Sequence, residues 1–152
     1  MIKKLTLTNY EEAQALLQIQ LPAYQIEAEL IGFYGIPALK DTVETLQACR
    51  EEGFGWWEDG KLAGTITYEY EEEQLVICRL VVDPAHFRKG IGEALLKHLL
   101  AEKQHVSRFS VHTGAANVPA INLYKKHGFV ESEEQEIAPG IRLVRLLRDH
   151  QT

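Results

Sequence analysis

Leu80-Val81-Val82-Asp83-Pro84-Ala85-His86-Phe87-Arg88-Lys89-Gly90-Ile91-Gly92-Glu93-Ala94-Leu95-Leu96 runs from an apolar strand, through a loop with two cations and two glycines, into an amphipathic helix. Glycine lets the backbone approach a ligand closely, and a helix N-terminus offers unpaired N–H groups with a partial positive charge. Together these predict an anion site suited to a pyrophosphate. Two other phosphate loops do not fit. The dinucleotide pattern GxGxxG needs a third glycine, and after Gly90 and Gly92 that place is taken by Leu95. The triphosphate loop needs GxxxxGK followed by Ser or Thr, which does not occur in the chain. Taken alone, the segment also fits a strand-to-helix turn that uses glycine only for geometry.

Working outward, Leu75 to Val82 is an almost unbroken apolar run, the pattern of a central strand buried on both faces. Before it, Phe54-Gly55-Trp56-Trp57, the turn pair Asp59-Gly60 and Leu62 to Tyr70 predict a hairpin. Glu69, Glu71, Glu72 and Glu73 read as a charged connection between two strands. Ile2 to Thr8 predicts an edge strand. Thr8 and Asn9 can cap a following helix, with Glu11 and Glu12 in its first turn. Pro22 is expected to interrupt that helix near Leu21, with a second helical stretch from Tyr24 to Ile31. Asp41 with Glu44 predicts a capping box for a helix over roughly residues 42–50. On the other side, Gly92 to Lys103 predicts a helix and Arg108 to Thr113 a strand. Pro119 to His127 predicts a helix that Gly128 stops, followed by an antiparallel pair, Val130 to Glu136 and Ile141 to Leu147. The expectation is one mixed α/β domain over residues 1–152.

Composition is ordinary for a globular protein of 152 residues, with 45% hydrophobic and 25% charged residues. No apolar run approaches the roughly 20 residues that span a bilayer, and no apolar signal region follows Met1-Ile2-Lys3-Lys4. A cytoplasmic location is expected. The formal net charge of −6 argues against nucleic acid or an anionic membrane as partner and favours a cationic substrate. Cys49 and Cys78 lack CxxC spacing or a histidine cluster, so both are expected to be buried, reduced thiols, with no metal site.

Arg88-Lys89-Gly90-Ile91-Gly92-Glu93 resembles the acetyl-CoA loop of the GNAT family of N-acetyltransferases, whose pattern is Gln or Arg, any two residues, Gly, any residue, then Gly or Ala. The preceding Leu-Val-Val, Pro84 and the following Ala94-Leu95-Leu96 agree with it. A second segment, Asn117-Val118-Pro119-Ala120-Ile121-Asn122-Leu123-Tyr124-Lys125-Lys126-His127-Gly128-Phe129, is similar to the family's other cofactor motif. Both occur in the family's order and separation, while the first 50 residues match only in outline. The resemblance implies an α/β fold: a mostly antiparallel mixed sheet, splayed between its fourth and fifth strands and flanked by helices. It implies acetyl-CoA as co-substrate and an amine as acceptor.

By resemblance, Leu80 and Val82 would offer backbone groups to the pantetheine arm, with Val81 beside them. Backbone amides of Arg88, Lys89, Gly90, Ile91, Gly92 and Glu93 would hold the pyrophosphate. A backbone N–H near Val82 would polarise the thioester carbonyl. Tyr124 matches the general acid that protonates the departing thiolate, and its phenol is suitably matched to an alkyl thiol. Asn117 and Asn122 match positions that contact the cofactor, and Asn117 equally fits a helix cap before Pro119. The base is open. Many relatives use a glutamate on the fourth strand, but Leu75 to Val82 has no acid. Glu69, His112, Glu27, Glu29 or a water relay remain as candidates.

Tyr24, Glu27, Tyr34 and Trp56 would suit an amine with apolar surface. Competing readings are transfer of a longer acyl group, or a CoA-binding sensor without turnover. Pairing through the last strands would give a homodimer.

Overall fold

The computed structural model describes residues 1–149. Period-two segments form a seven-stranded sheet in the order β1-β2-β3-β4-β5-β7-β6. The strands are β1 (Ile2–Leu5), β2 (Glu52–Glu58), β3 (Lys61–Glu71), β4 (Gln74–Val82), β5 (Arg108–Gly114), β6 (Val130–Ala138) and β7 (Ile141–Asp149). All neighbours are antiparallel except β4 and β5, which are parallel. The helices are α1 (Tyr10–Ile31), α2 (Val43–Ala48), α3 (Ile91–Glu102) and α4 (Val118–Lys126). This is the mixed, mostly antiparallel sheet flanked by helices that the motifs imply.

Asp59 and Gly60, both at positive φ (50° and 77°), make the expected β2–β3 turn. Glu72 and Glu73 make the β3–β4 turn, while Glu69 and Glu71 belong to β3. The last two strands run two residues further than the alternation predicts.

Pro22 does not interrupt α1, which is continuous over 22 residues. A proline removes one hydrogen bond from a helix interior. Here the packing outweighs that loss: Ala13, Leu16, Ile19 and Gln20 before it and Ala28 after it are buried along the helix. Asn9 caps α1 by accepting the Glu12 N–H at 3.0 Å, and Gly32 ends it at φ 72°. The expected Asp41/Glu44 capping box is also replaced. Thr42 and Thr45 cap α2 reciprocally, and Asp41 faces the interior.

Two cores cover the two faces of the sheet. On one, Ile66, Tyr68, Leu75 and Ile77 pack with Leu95, Leu96 and Leu99 of α3 and with Ile121 and Tyr124 of α4. On the other, Leu5, Leu62 and Val81 pack with Ala13, Leu16 and Ile19 of α1 and Leu46 of α2. A bulge in β4 rearranges which residues serve which face. Thr67 pairs with Arg79 but Tyr68 with Ile77, so Cys78 is the extra residue. Leu75 and Ile77 face the α3 core before the bulge, and Leu80 and Val82 pack there after it.

The same region opens the sheet. β4 and β5 pair only from Gln74/Arg108 to Ile77/Val111. Beyond that point β4 stays with β3 as far as Val82, while β5 stays with β7 as far as Gly114. Their facing edges part into a slot.

Candidate active site

The slot continues into a cavity of about 910 Å³ between the second half of α1, the end of β4, the loop into α3, the end of β5 and α4. Its β4 wall is built of backbone. The Asp83 N–H bonds to the Ala63 carbonyl at 2.8 Å. In an antiparallel ladder bonding alternates, so Val81 is the next residue turned toward β3. Leu80 and Val82 therefore direct their N–H and C=O groups to the open edge, and all three line the cavity.

At one end lies the glycine loop. Arg88 and Gly90 adopt φ 68° and 74°, and Ala94 N–H bonds to Gly90 O, which starts α3. Among the described residues, no backbone N–H from 88 to 93 donates to another protein group. A Cβ added at Gly92 would meet only Val82, at an ordinary 3.6 Å. The fold itself does not demand glycine there, whereas a group lying against the helix N-terminus would. This cradle fits a pyrophosphate. Arg88, Gly90, Ile91 and Gly92 line the cavity, and Arg88 and Lys89 are exposed. The Glu93 side chain is spent elsewhere. It pairs with Lys126 and His127, each at 2.8 Å, which hold its carboxyl down at about 2 and tie α3 to α4. Only its backbone is available to a ligand.

Tyr124 projects from α4 into the α3-side core, 4% exposed, edge-on to Phe129 at 5.3 Å. It lines the slot, and burial, then the Glu27 charge, push its phenol above the ordinary value. Asn117 caps α4, its Oδ1 accepting the Ala120 N–H at 3.3 Å. Its Nδ2 donates to Glu27 Oε1 at 2.9 Å. Both ends of that amide are committed within the protein. Asn122 is exposed on α4 and does not line the cavity.

The base candidates separate by position. Glu69 pairs opposite Val76 on β3, and Glu29 is exposed on α1; neither lines the cavity. His112 stands largely exposed at the β5 edge, where partial loss of solvent around its ring and then Arg145 lower its pKa, partly offset by Glu133. Glu27 lines the cavity, and burial raises its carboxyl above the usual carboxylate range, partly offset by the Asn117 hydrogen bond. Tyr24, one helical turn away, is raised by burial and by Glu27. Tyr34 is exposed and outside the cavity, and Trp56 packs on the α3-side core.

The composition of the chain does not reveal a half-buried ion cluster beside the acceptor end. Arg79 donates to Glu51 through Nε at 2.8 Å and Nη2 at 3.0 Å, and through Nη1 to Asp41 at 2.5 Å and Gln20 at 2.8 Å. Gln20, fully buried, also donates to Asp41 at 2.8 Å. The readable signal is a lone arginine inside an apolar run, since a buried guanidinium requires carboxylates. Three carboxylates (Glu27, Asp41, Glu51) and one guanidinium line this end, a formal excess of two negative charges. Cys78 also lines it, half-buried rather than buried, its thiol pushed up to about 12 by burial. Cys49 is half-buried as well, and both thiols are free. Among the described residues no cluster of three His, Cys, Asp or Glu could hold a metal ion.

The slot thus has unpaired backbone amides at one end and an anionic, apolar-walled pocket at the other. The model of the acetyltransferase (GNAT) family matches residues 13–129. The chain is 44% identical over 131 residues to UPF0157 protein YqkA of Bacillus subtilis, covering 86% of this chain and 38% of that protein. It thus spans about two fifths of YqkA's length. It is 32% identical over 112 residues to the ribosomal protein bS18-alanine N-acetyltransferase of Escherichia coli, covering 72% of this chain and 74% of that one. The crystal structure of the Escherichia coli ribosomal-protein-alanine enzyme superposes with TM-score 0.78 at 22% identity, over 100% of this chain and 96% of that one. PaiA N-acetyltransferase of Thermoplasma acidophilum, crystallised with coenzyme A, superposes with TM-score 0.74 at 16% identity, over 98% and 99%. The chain belongs to the acetyltransferase (GNAT) family.

Proposed function

We propose that the chain transfers the acetyl group of acetyl-CoA to a primary amine that carries apolar surface, by direct attack in the slot between β4 and β5. The observation that supports this most is the polarity of one continuous cavity. Unpaired amides lie at one end, excess negative charge at the other, and Tyr124 between them.

In this reading Leu80 and Val82 pair through their backbone with the pantetheine arm, with Val81 packing behind them. The amides of Arg88, Lys89, Gly90, Ile91, Gly92 and Glu93 hold the pyrophosphate. Tyr124 gives its proton to the leaving thiolate. Asn117 acts through Glu27 and the α4 cap rather than by direct contact, and Asn122, exposed outside the cavity, would meet only a part of the cofactor that extends beyond it. Acetyl-CoA, when bound, supplies the activated acyl carbon. Residues 1–152 are treated as one N-acetyltransferase domain. Its proposed location is the cytoplasm; no helix among the described residues is long and apolar enough to cross a membrane.

The acceptor pocket has anionic groups below apolar lips formed by Leu30, Ile36 and Ile137. An α-amine next to a small apolar side chain satisfies both, and the name of the Escherichia coli relative supplies one such acceptor, an alanine of ribosomal protein bS18. The test is release of free thiol from acetyl-CoA across alanine-initiated peptides, other peptides, polyamines and amino acids. Turnover is expected first with amines that carry an apolar group beside the nitrogen. Turnover confined to fully hydrophilic polyamines would overturn the acceptor class.

A further inference from the structure

We propose that the Glu27 carboxylate receives the acceptor ammonium and takes its proton. The inference rests on the transferase reading and names the group that the acid-free strand β4 does not supply. Three carboxylates line the cavity, and hydrogen bonding distinguishes them. Asp41 accepts from Thr45 on one oxygen and from Arg79 and Gln20 on the other. Glu51 accepts from Thr67 and Arg79 on one oxygen and again from Arg79 on the other. Both are spent on holding Arg79. Glu27 accepts from Asn117 on Oε1, and among the described residues nothing donates to Oε2. It is the cavity carboxylate with an oxygen still free to take a proton.

Its surroundings suit that task. Asn117 fixes the side chain from the α4 side of the slot, so the carboxylate reaches across the gap. Burial raises its pKa toward neutrality, where a base is most effective. The groups facing it are Tyr24 from α1 and Tyr124 from α4, with the Arg79, Glu51 and Asp41 cluster and His112 of β5 on the other walls. His112, the other base candidate in the cavity, is exposed between Arg145 and Glu133, whose charges act on it in opposite directions, and among the described residues no hydrogen bond fixes its ring.

The step balances without a further reagent. Glu27 takes one proton from the ammonium, leaving a neutral amine and a carboxylic acid. The nitrogen lone pair forms the C–N bond to the acetyl carbon, and the C–S bond breaks. Sulfur takes the Tyr124 phenolic proton, and the second proton shed by nitrogen returns to the phenolate. Glu27 then passes its proton to water, so ammonium and thioester yield amide, thiol and one proton.

Ethylamine and trifluoroethylamine test this, because they are close in shape while only ethylamine is an ammonium at neutral pH. Glu27→Gln is expected to lower kcat/KM for ethylamine by about 10²–10⁴-fold, with trifluoroethylamine affected less than about tenfold and acetyl-CoA affinity unchanged. Glu27→Asp should recover part of the ethylamine rate. Equal losses for the two amines, no loss for either, or an ethylamine-selective loss in His112→Asn instead would overturn the assignment. Should the unsubstituted chain turn over neither amine, NMR of labelled glutamate carboxyl carbons decides. One resonance titrating above the usual range, and missing in Glu27→Gln, is expected; a Glu27 resonance in the ordinary range would overturn it. Failure of the transferase reading looks different: no thiol release with any amine of the panel.

Discussion

Glu27 and Gly92 show two ways in which single residues are held against the fold's own interest. A carboxyl whose folded pKa lies above its unfolded value stabilises the fold below the unfolded pKa, and that stability is lost as pH rises through the folded pKa. At neutral pH the Glu27 carboxylate is therefore a burden on stability. Glu27→Gln is expected to raise Tm at neutral pH, with the gain shrinking as pH falls toward the ordinary glutamate range; an equal gain at all pH values would contradict this. Gly92 gives the complementary case. Its Cβ would make only ordinary contact, and alanine is the better helix former by about 1 kcal/mol. Gly92→Ala should leave Tm unchanged or higher while weakening acetyl-CoA binding at least about tenfold, measured by titration calorimetry. An undisturbed affinity would remove the cradle from the cofactor site. Gly90, Gly92 and Tyr124 were legible in the sequence because motif spacing fixes backbone geometry. Glu27 is only one name among four, since choosing it needs the hydrogen bonds of the other carboxylates, and most of those join residues 16 to 38 apart, such as Arg79 with Asp41 (38 apart).

At the scale of elements, the bulge at Cys78 and the arginine after it shape the site. The bulge lies where β4 leaves β5, and it turns Arg79 toward Gln20 of α1 and Asp41 before α2. Arg79→Met would leave Asp41 and Glu51 as half-buried charges without their partner, a loss of about 1–3 kcal/mol in urea unfolding. A loss below about 1 kcal/mol would show that the cluster does not pin α1 to the sheet. The existence and order of the strands and helices are readable from periodicity, their ends less so, and two local signals mislead in the same way. Pro22 does not break α1, and Asp41 does not cap α2. In both places a tertiary partner outweighs the local preference: the buried helix face in the first, Arg79 in the second.

Across the whole molecule, charge is distributed by task. Cationic and amide groups gather where phosphates would lie, and excess carboxylate gathers where an ammonium would enter. The free edge strand β6 is exposed along its length and carries Glu131, Glu133, Glu134 and Glu136. The net charge of −6 hints at a cationic partner, but only the structure separates the acids that line the acceptor pocket from those that merely coat an edge. The proposed place of Tyr124 at the reacting centre is tested most directly by comparing Tyr124→Phe with the unsubstituted chain, measuring thiol release and acetyl-CoA affinity in the same preparations. A fall in kcat of about 10²-fold or more, with the affinity within about twofold, is expected. Unchanged turnover in Tyr124→Phe would contradict it.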